Sequence, residues 1–186
     1  PMWMISLMAV IGSGSVAVPL DKDLLPAQVE NFLSLSEVEA VFCSGKFAEK
    51  ISSMNLPKLR IIIDFDNKGS IDSRYYSYEK IVSIGNKLVS GGDKSFKTCR
   101  YDRSKMSLLI FTSGTTGTSK GVMLSEDNIL TALTAASNMI NLKSSTVLLS
   151  VLPMHHTYEM TAGQLTAIRL GVTICINNSL KYVMRN

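Results

Sequence analysis

Residues 108–122 read Leu108-Leu109-Ile110-Phe111-Thr112-Ser113-Gly114-Thr115-Thr116-Gly117-Thr118-Ser119-Lys120-Gly121-Val122. Four apolar residues in succession suit a strand covered on both faces of a parallel sheet. They stop at a run of glycines and hydroxyl side chains closed by one lysine. Gly114, Gly117 and Gly121 can adopt positive φ and let the backbone approach a ligand closely. Backbone amides in such a loop form an anion-binding concavity, to which the hydroxyls of Thr112, Ser113, Thr115 and Thr116 add donors. Lys120 supplies a mobile point charge for phosphate oxygens. A polyphosphate is the expected occupant.

The spacing separates this loop from two better-known ones. A Walker A loop needs glycine directly before its lysine and Ser or Thr directly after; here Ser119 precedes Lys120 and Gly121 follows. The G-x-G-x-x-G dinucleotide fingerprint is also missing from the loop. The string instead resembles the signature of the adenylate-forming superfamily, which includes acyl-CoA synthetases, luciferases and the adenylation domains of peptide synthetases. Its members carry Thr-Ser-Gly-Thr-Thr-Gly-x-Pro-Lys-Gly-Val at the end of a strand. Ser119 stands where that pattern has proline, which loosens the loop slightly without removing a donor. The resemblance implies that Thr112, Ser113, Gly114, Thr115, Thr116, Gly117, Lys120 and Gly121 bind the phosphates of ATP. The bland alternative is a Gly/Ser/Thr surface linker, and the ordered match between two apolar strands argues against it.

A second constellation is Leu152-Pro153-Met154-His155-His156-Thr157-Tyr158-Glu159, directly after an apolar run at 146–152. Open α/β sheets place their ligand crevice at such strand ends. A metal site built from His155 or His156 with Glu159 has no third ligand at suitable spacing, and adjacent histidines are expected to point apart. The segment is similar to the Leu-Pro-x-x-His-x-Tyr/Phe-Glu of long-chain acyl-CoA synthetases. On that match His156 is the catalytic residue lining the carboxylate and adenylate site, with His155 and Tyr158 shaping the substrate pocket. Gly14 to Asp21 likewise resembles a Gly-Ala-x-x-x-Pro-Leu-Asp segment of the superfamily.

Composition narrows the alternatives. The chain has 186 residues, a net charge of +4 and 46% hydrophobic residues, with mean hydropathy +0.19. That is enough for one sizeable core. The basic residues are scattered apart from a loose run over 94–105, without interleaved aromatics or a DNA-binding motif, so a nucleic-acid partner is not expected. Cys43, Cys99 and Cys175 lie far apart, which suits reduced thiols in a cytoplasmic protein, with Cys43 and Cys175 as buried strand residues. The opening residues 2–11 lack a charged n-region and are too short to cross a bilayer, so neither a signal peptide nor a membrane span is expected.

Periodicity predicts alternating elements. Helices are expected over residues 3–11, 24–35 (capped by Asp21 or Asp23), 46–53, 78–89, 126–140 (capped by Ser125, with Glu126 and Asp127 favourable at its positive end) and 158–170. Strands are expected over 15–20, 37–43, 59–65, 108–111, 121–124, 146–152 and 172–176. Residues 66–74 and 93–104 read as polar loops. The pattern is α/β, with helices layered on a mostly parallel sheet. Together with the resemblance, residues 1–186 form part of the large N-terminal domain of an adenylate-forming enzyme.

The resemblance also implies a reaction. A carboxylic acid attacks the α-phosphate of ATP–Mg²⁺, and a thiol, usually coenzyme A, then displaces AMP from the acyl-adenylate. A fatty-acid-type substrate fits best. The superfamily's Tyr-Gly-x-Thr-Glu segment (whose Glu binds Mg²⁺), its ribose-binding Thr-Gly-Asp segment and its C-terminal lysine domain do not occur in these 186 residues. The expectation is therefore an N-terminal portion that cannot complete adenylation alone and whose exposed core faces favour self-association. An amino-acid adenylation domain and a nucleotide-binding module without chemistry are the competing readings.

Overall fold

The computed structural model describes residues 2–66, 73–112 and 119–177. The chain divides into two compact units, one built from residues 2–13 and 22–100, the other from residues 14–21 and 101 onward.

In the first unit, helix α1 (Met2–Gly12) is followed by α2 (Pro26–Leu35), β1 (Ala40–Cys43), α3 (Gly45–Ser52), β2 (Ile61–Asp64), β3 (Tyr75–Ser77), α4 (Tyr78–Ser90) and the short α5 (Ser95–Thr98). The three strands form a parallel sheet in the order β1-β2-β3, with Cys43 beside Asp64 and Asp64 beside Ser77 at the carboxyl ends. Ile62 and Ile63 are buried between the neighbouring strands, as the all-apolar run predicts. Helix α2 does not use an aspartate cap. Pro26 occupies its first turn, where a missing N–H costs nothing, and the Gln28 side chain accepts from the Leu25 N–H. Helix α5 lies where the sequence reads as loop, and β3 occupies the three residues between the predicted loop 66–74 and the predicted helix 78–89. In α4 the aligned Ile84 and Leu88 are exposed, so its apolar stripe is not a core face among the described residues.

The second unit contains β4 (Met106–Thr112), β5 (Lys120–Ser125), α6 (Glu126–Met139), β6 (Val147–Ser150), a π-helical segment (Glu159–Leu165), α7 (Thr166–Arg169) and β7 (Thr173–Ile176). Strands β6 and β7 pair parallel, whereas β4 and β5 form an antiparallel hairpin. The expected strand at 15–20 reduces to one parallel bridge, Ala17 to Leu108. Ser125 caps α6 by accepting the Asn128 N–H, and Glu126 and Asp127 lie in its positive first turn, as the sequence predicts. Helix α6 buries Ile129 and Leu133 and packs on β4 and β5 as well as on the π-helical segment and α7.

The three cysteines are free thiols. Cys43 is buried, but Cys175 is exposed, because β7 belongs to a two-stranded sheet with one open face. No described helix is long and apolar enough to cross a membrane.

Candidate functional site

Strand β4 alternates in burial: Leu108 and Ile110 are buried while Leu109 and Phe111 are half-buried. This corrects the expectation of a strand covered on both faces, and the reason is the antiparallel partner, which leaves one face of the hairpin open. Thr112 pairs with Lys120 at the open end of the ladder, and both side chains are exposed there. Ser113, Gly114, Thr115, Thr116 and Gly117 lie outside the described residues, so the structure places the two posts of the loop.

Gly121 is a strand residue opposite Phe111 and is not among the glycines with positive φ. Its smallness has another cause. A Cβ at this position would come within 3.0 Å of the Leu109 side chain and 3.7 Å of Phe111. The residue lets two large side chains fold over the hairpin just behind Lys120.

The histidine turn follows β6. The His156 N–H donates to the Pro153 carbonyl at 3.0 Å, and the His156 carbonyl accepts from the Met160 N–H at 2.9 Å, starting the next helix. The two imidazoles do not point apart as expected: their centroids lie 4.6 Å from each other at an interplanar angle of 33°. His155 is mostly buried and its Nε2 lies 3.5 Å from Asp21 Oδ2. His156 is exposed, and Tyr158 is 71% exposed.

One segment links the two constellations. The Ala17 N–H donates to the Ser107 carbonyl and the Ala17 carbonyl accepts from the Leu109 N–H, both at 2.9 Å. At this parallel bridge both chains point the same way, so residues 17–21 leave toward the end of β4 that bears Thr112. Four residues on, Asp21 meets His155.

Beneath the turn is a polar cluster that sequence reasoning missed. Ser150 ends β6, and its Oγ donates to Glu159 Oε1 at 2.5 Å; Gln164 Nε2 donates to Ser150 Oγ at 2.7 Å and to Glu159 Oε1 at 3.4 Å. Ser150, Glu159 and Gln164 are 2%, 5% and 1% exposed. The wider π-helical turn aligns Glu159 with Gln164 five residues later, and Thr166 Oγ1 bonds the Thr161 carbonyl across the same spacing. A Cβ on Gly163 would lie 2.9 Å from Glu159 Oε1, so only glycine leaves the carboxylate room. The signal in the sequence was a glutamate and a glutamine five residues apart in the helix expected over 158–170.

Among the described residues no group of three His, Cys, Asp or Glu side chains gathers as a metal site would require. Glu159 in particular turns its Oε1 to Ser150 and Gln164.

Comparison with known proteins bears on the family and the fold. A family model described as AMP-binding enzyme matches residues 1–182. The chain is 29% identical over 180 residues to long chain acyl-CoA synthetase 6, peroxisomal, of Arabidopsis thaliana, covering 94% of this chain and 25% of that protein. It is similar to ATP-bound MatB from Rhodopseudomonas palustris with a TM-score of 0.71 at 19% identity, covering 94% of this chain and 32% of that one. It is also similar to the anthranilate CoA ligase AuaEII in complex with anthranoyl-AMP, with a TM-score of 0.75 at 22% identity and the same two coverages. The two structural likenesses establish the α/β fold. The chain spans about a quarter of the length of the curated relative.

Proposed function

The chain belongs to the AMP-binding enzyme family, and on that footing we propose that it is the N-terminal portion of an ATP-dependent ligase joining a carboxylic acid to a thiol. The observation that carries this reading is the path from β4 through Ala17 to Asp21. It leads from the hairpin that bears Lys120 to the turn that bears His155 and His156. A cation for phosphates and an imidazole for a carboxylate are the two groups the reaction needs.

The proposed chemistry runs in two steps. A carboxylate oxygen bonds to the α-phosphorus of ATP while the bond from that phosphorus to the bridging oxygen breaks, and pyrophosphate leaves with its electron pair. A thiol, coenzyme A by this reading, then attacks the acyl carbon and expels AMP. Lys120 and the hydroxyl-rich loop behind Thr112 hold the departing phosphates, and fixed donors at such a site are each worth on the order of 3 kcal/mol. His156 orients the attacking carboxylate. The described residues do not fit as a carboxylate set for Mg²⁺, so no step is assigned to them through that ion. A fatty-acid-type substrate, in a cytoplasmic setting that keeps the three thiols reduced, completes the reading.

The test is carboxylate-dependent exchange of pyrophosphate into ATP by the full-length polypeptide that carries this segment. Exchange that requires a fatty acid supports the reading, and exchange that requires an amino acid replaces it with an adenylation domain. The 186-residue chain alone is expected to bind nucleotide without exchange.

A further inference from the structure

The cluster under the histidine turn does more than fill space. Residues 151–158 leave β6 and return to the π-helical segment, and Ser150 and Glu159 are the two ends of that excursion. Their 2.5 Å hydrogen bond closes the loop at its base, and Gln164 braces both groups from below. A buried carboxylate is a costly way to achieve stability: well-packed apolar residues of similar volume are often as stable or more so. Two further adaptations serve this one carboxylate, the π-helical widening that brings in Gln164 and the glycine at 163 that makes room. Both are local departures from regular helix.

We propose that Glu159 is the positioning residue for His156. Through Ser150 and Gln164 it fixes the base of the loop, while Asp21 holds the neighbouring His155 at the side. The exposed imidazole of His156 is thereby held at a constant height over the strand end. This inference rests on the carboxylate-ligase reading for its catalytic consequence, but not for its structural one.

The experiment uses the full-length polypeptide carrying Glu159→Ala, Glu159→Gln, Ser150→Ala or the control Val172→Ala, a core truncation in the same unit. Misplacing a reacting group by about 1 Å costs roughly 100-fold, so Glu159→Ala should lower the rate constant for carboxylate-dependent pyrophosphate exchange by about that factor. Its dissociation constant for ATP should stay within about twofold, since the phosphate posts are on the β4–β5 hairpin and not on this loop. Glu159→Gln keeps an oxygen that accepts the same donors and should recover most of the rate; Ser150→Ala should fall between. Val172→Ala should lower the melting temperature without lowering the rate constant. The proposal is overturned if Glu159→Ala retains its rate, or if Val172→Ala loses as much at equal loss of melting temperature. Should Glu159→Ala fail to fold, Ser150→Ala decides, and wild-type rates for it refute the clamp. If the wild-type protein shows no exchange at all, the ligase reading fails, and the ring resonances of His156 in the 186-residue chain then decide the clamp. Shifts in Ser150→Ala but not in Val172→Ala support it; unchanged resonances overturn it.

Discussion

Each unit of this chain buries a carboxylate at the carboxyl end of a parallel strand, and the two are held differently. Asp64 ends β2, is fully buried, and accepts hydrogen bonds from the Tyr75 hydroxyl and from the Asp66 N–H at 2.8 Å. Asp66 in turn accepts from the Gly45 N–H at 2.9 Å, tying the start of α3 to the same strand end. These bonds join neighbouring strands and a turn of one small sheet. Glu159 instead bridges the two ends of a loop that carries two histidines. Burial and hydrogen bonding are alike in both places. What the carboxylate ties together differs, and that difference separates a stabiliser of the sheet from the support proposed for His156.

Substitutions distinguish the two carboxylates, the most damaging one at Asp64. Asp64→Ala leaves the Tyr75 hydroxyl and the Asp66 N–H without this acceptor, and should cost on the order of 3 kcal/mol in urea denaturation. ATP affinity should be unchanged; a loss of nucleotide binding would erase the distinction between the two carboxylates. Gly163→Ala puts a methyl group against Glu159, and should cost about 2 kcal/mol while lowering the exchange rate as Glu159→Ala does. A loss of stability without a loss of rate would make Glu159 a second Asp64.

Acidity sharpens the contrast further. Burial first, then the negative charges of Asp64 and Asp66, push the Cys43 thiol from its ordinary 9.0 up to about 12. The folded state therefore holds this proton more tightly than the unfolded chain. That stabilisation is complete below pH 9 and is lost as pH rises toward 12. Iodoacetamide at pH 8 should label the exposed Cys175 and spare Cys43, read by peptide mass spectrometry. Asp64→Asn should bring Cys43 labelling to lower pH. The smallest effect is at the surface. Arg103 bonds Asp127 at the start of α6 at 2.7 Å, with both side chains about half exposed. Arg103→Ala should lower the melting temperature only slightly, and the difference should vanish in high salt.

The sequence displayed most of the frame. Ser125 as cap, with Glu126 and Asp127 in the first turn, announced α6; apolar runs announced β1, β2, β6 and β7. Short or paired features were less legible. Tyr75–Ser77 becomes a strand only because β2 supplies a parallel partner, and the need for glycine at 121, in a strand that was expected, shows only once Leu109 and Phe111 are seen folding over it. At the site, residue types pointed to His155, His156 and Lys120. The closeness of the two rings and the Asp21 contact arise from tertiary packing, which spacing does not encode. The Glu159 cluster was hidden for a sharper reason: a five-residue alignment is invisible to a search tuned to helical spacings of three and four.

The central claim is that the hairpin mouth between Thr112 and Lys120 holds the phosphates of a nucleotide. Calorimetric titration of ATP into the 186-residue chain, wild type against Lys120→Ala, tests it most directly. Wild type should bind saturably, and removal of the lysine at the mouth should weaken binding at least about tenfold. Equal affinities in the two proteins, or no binding by either, would contradict it.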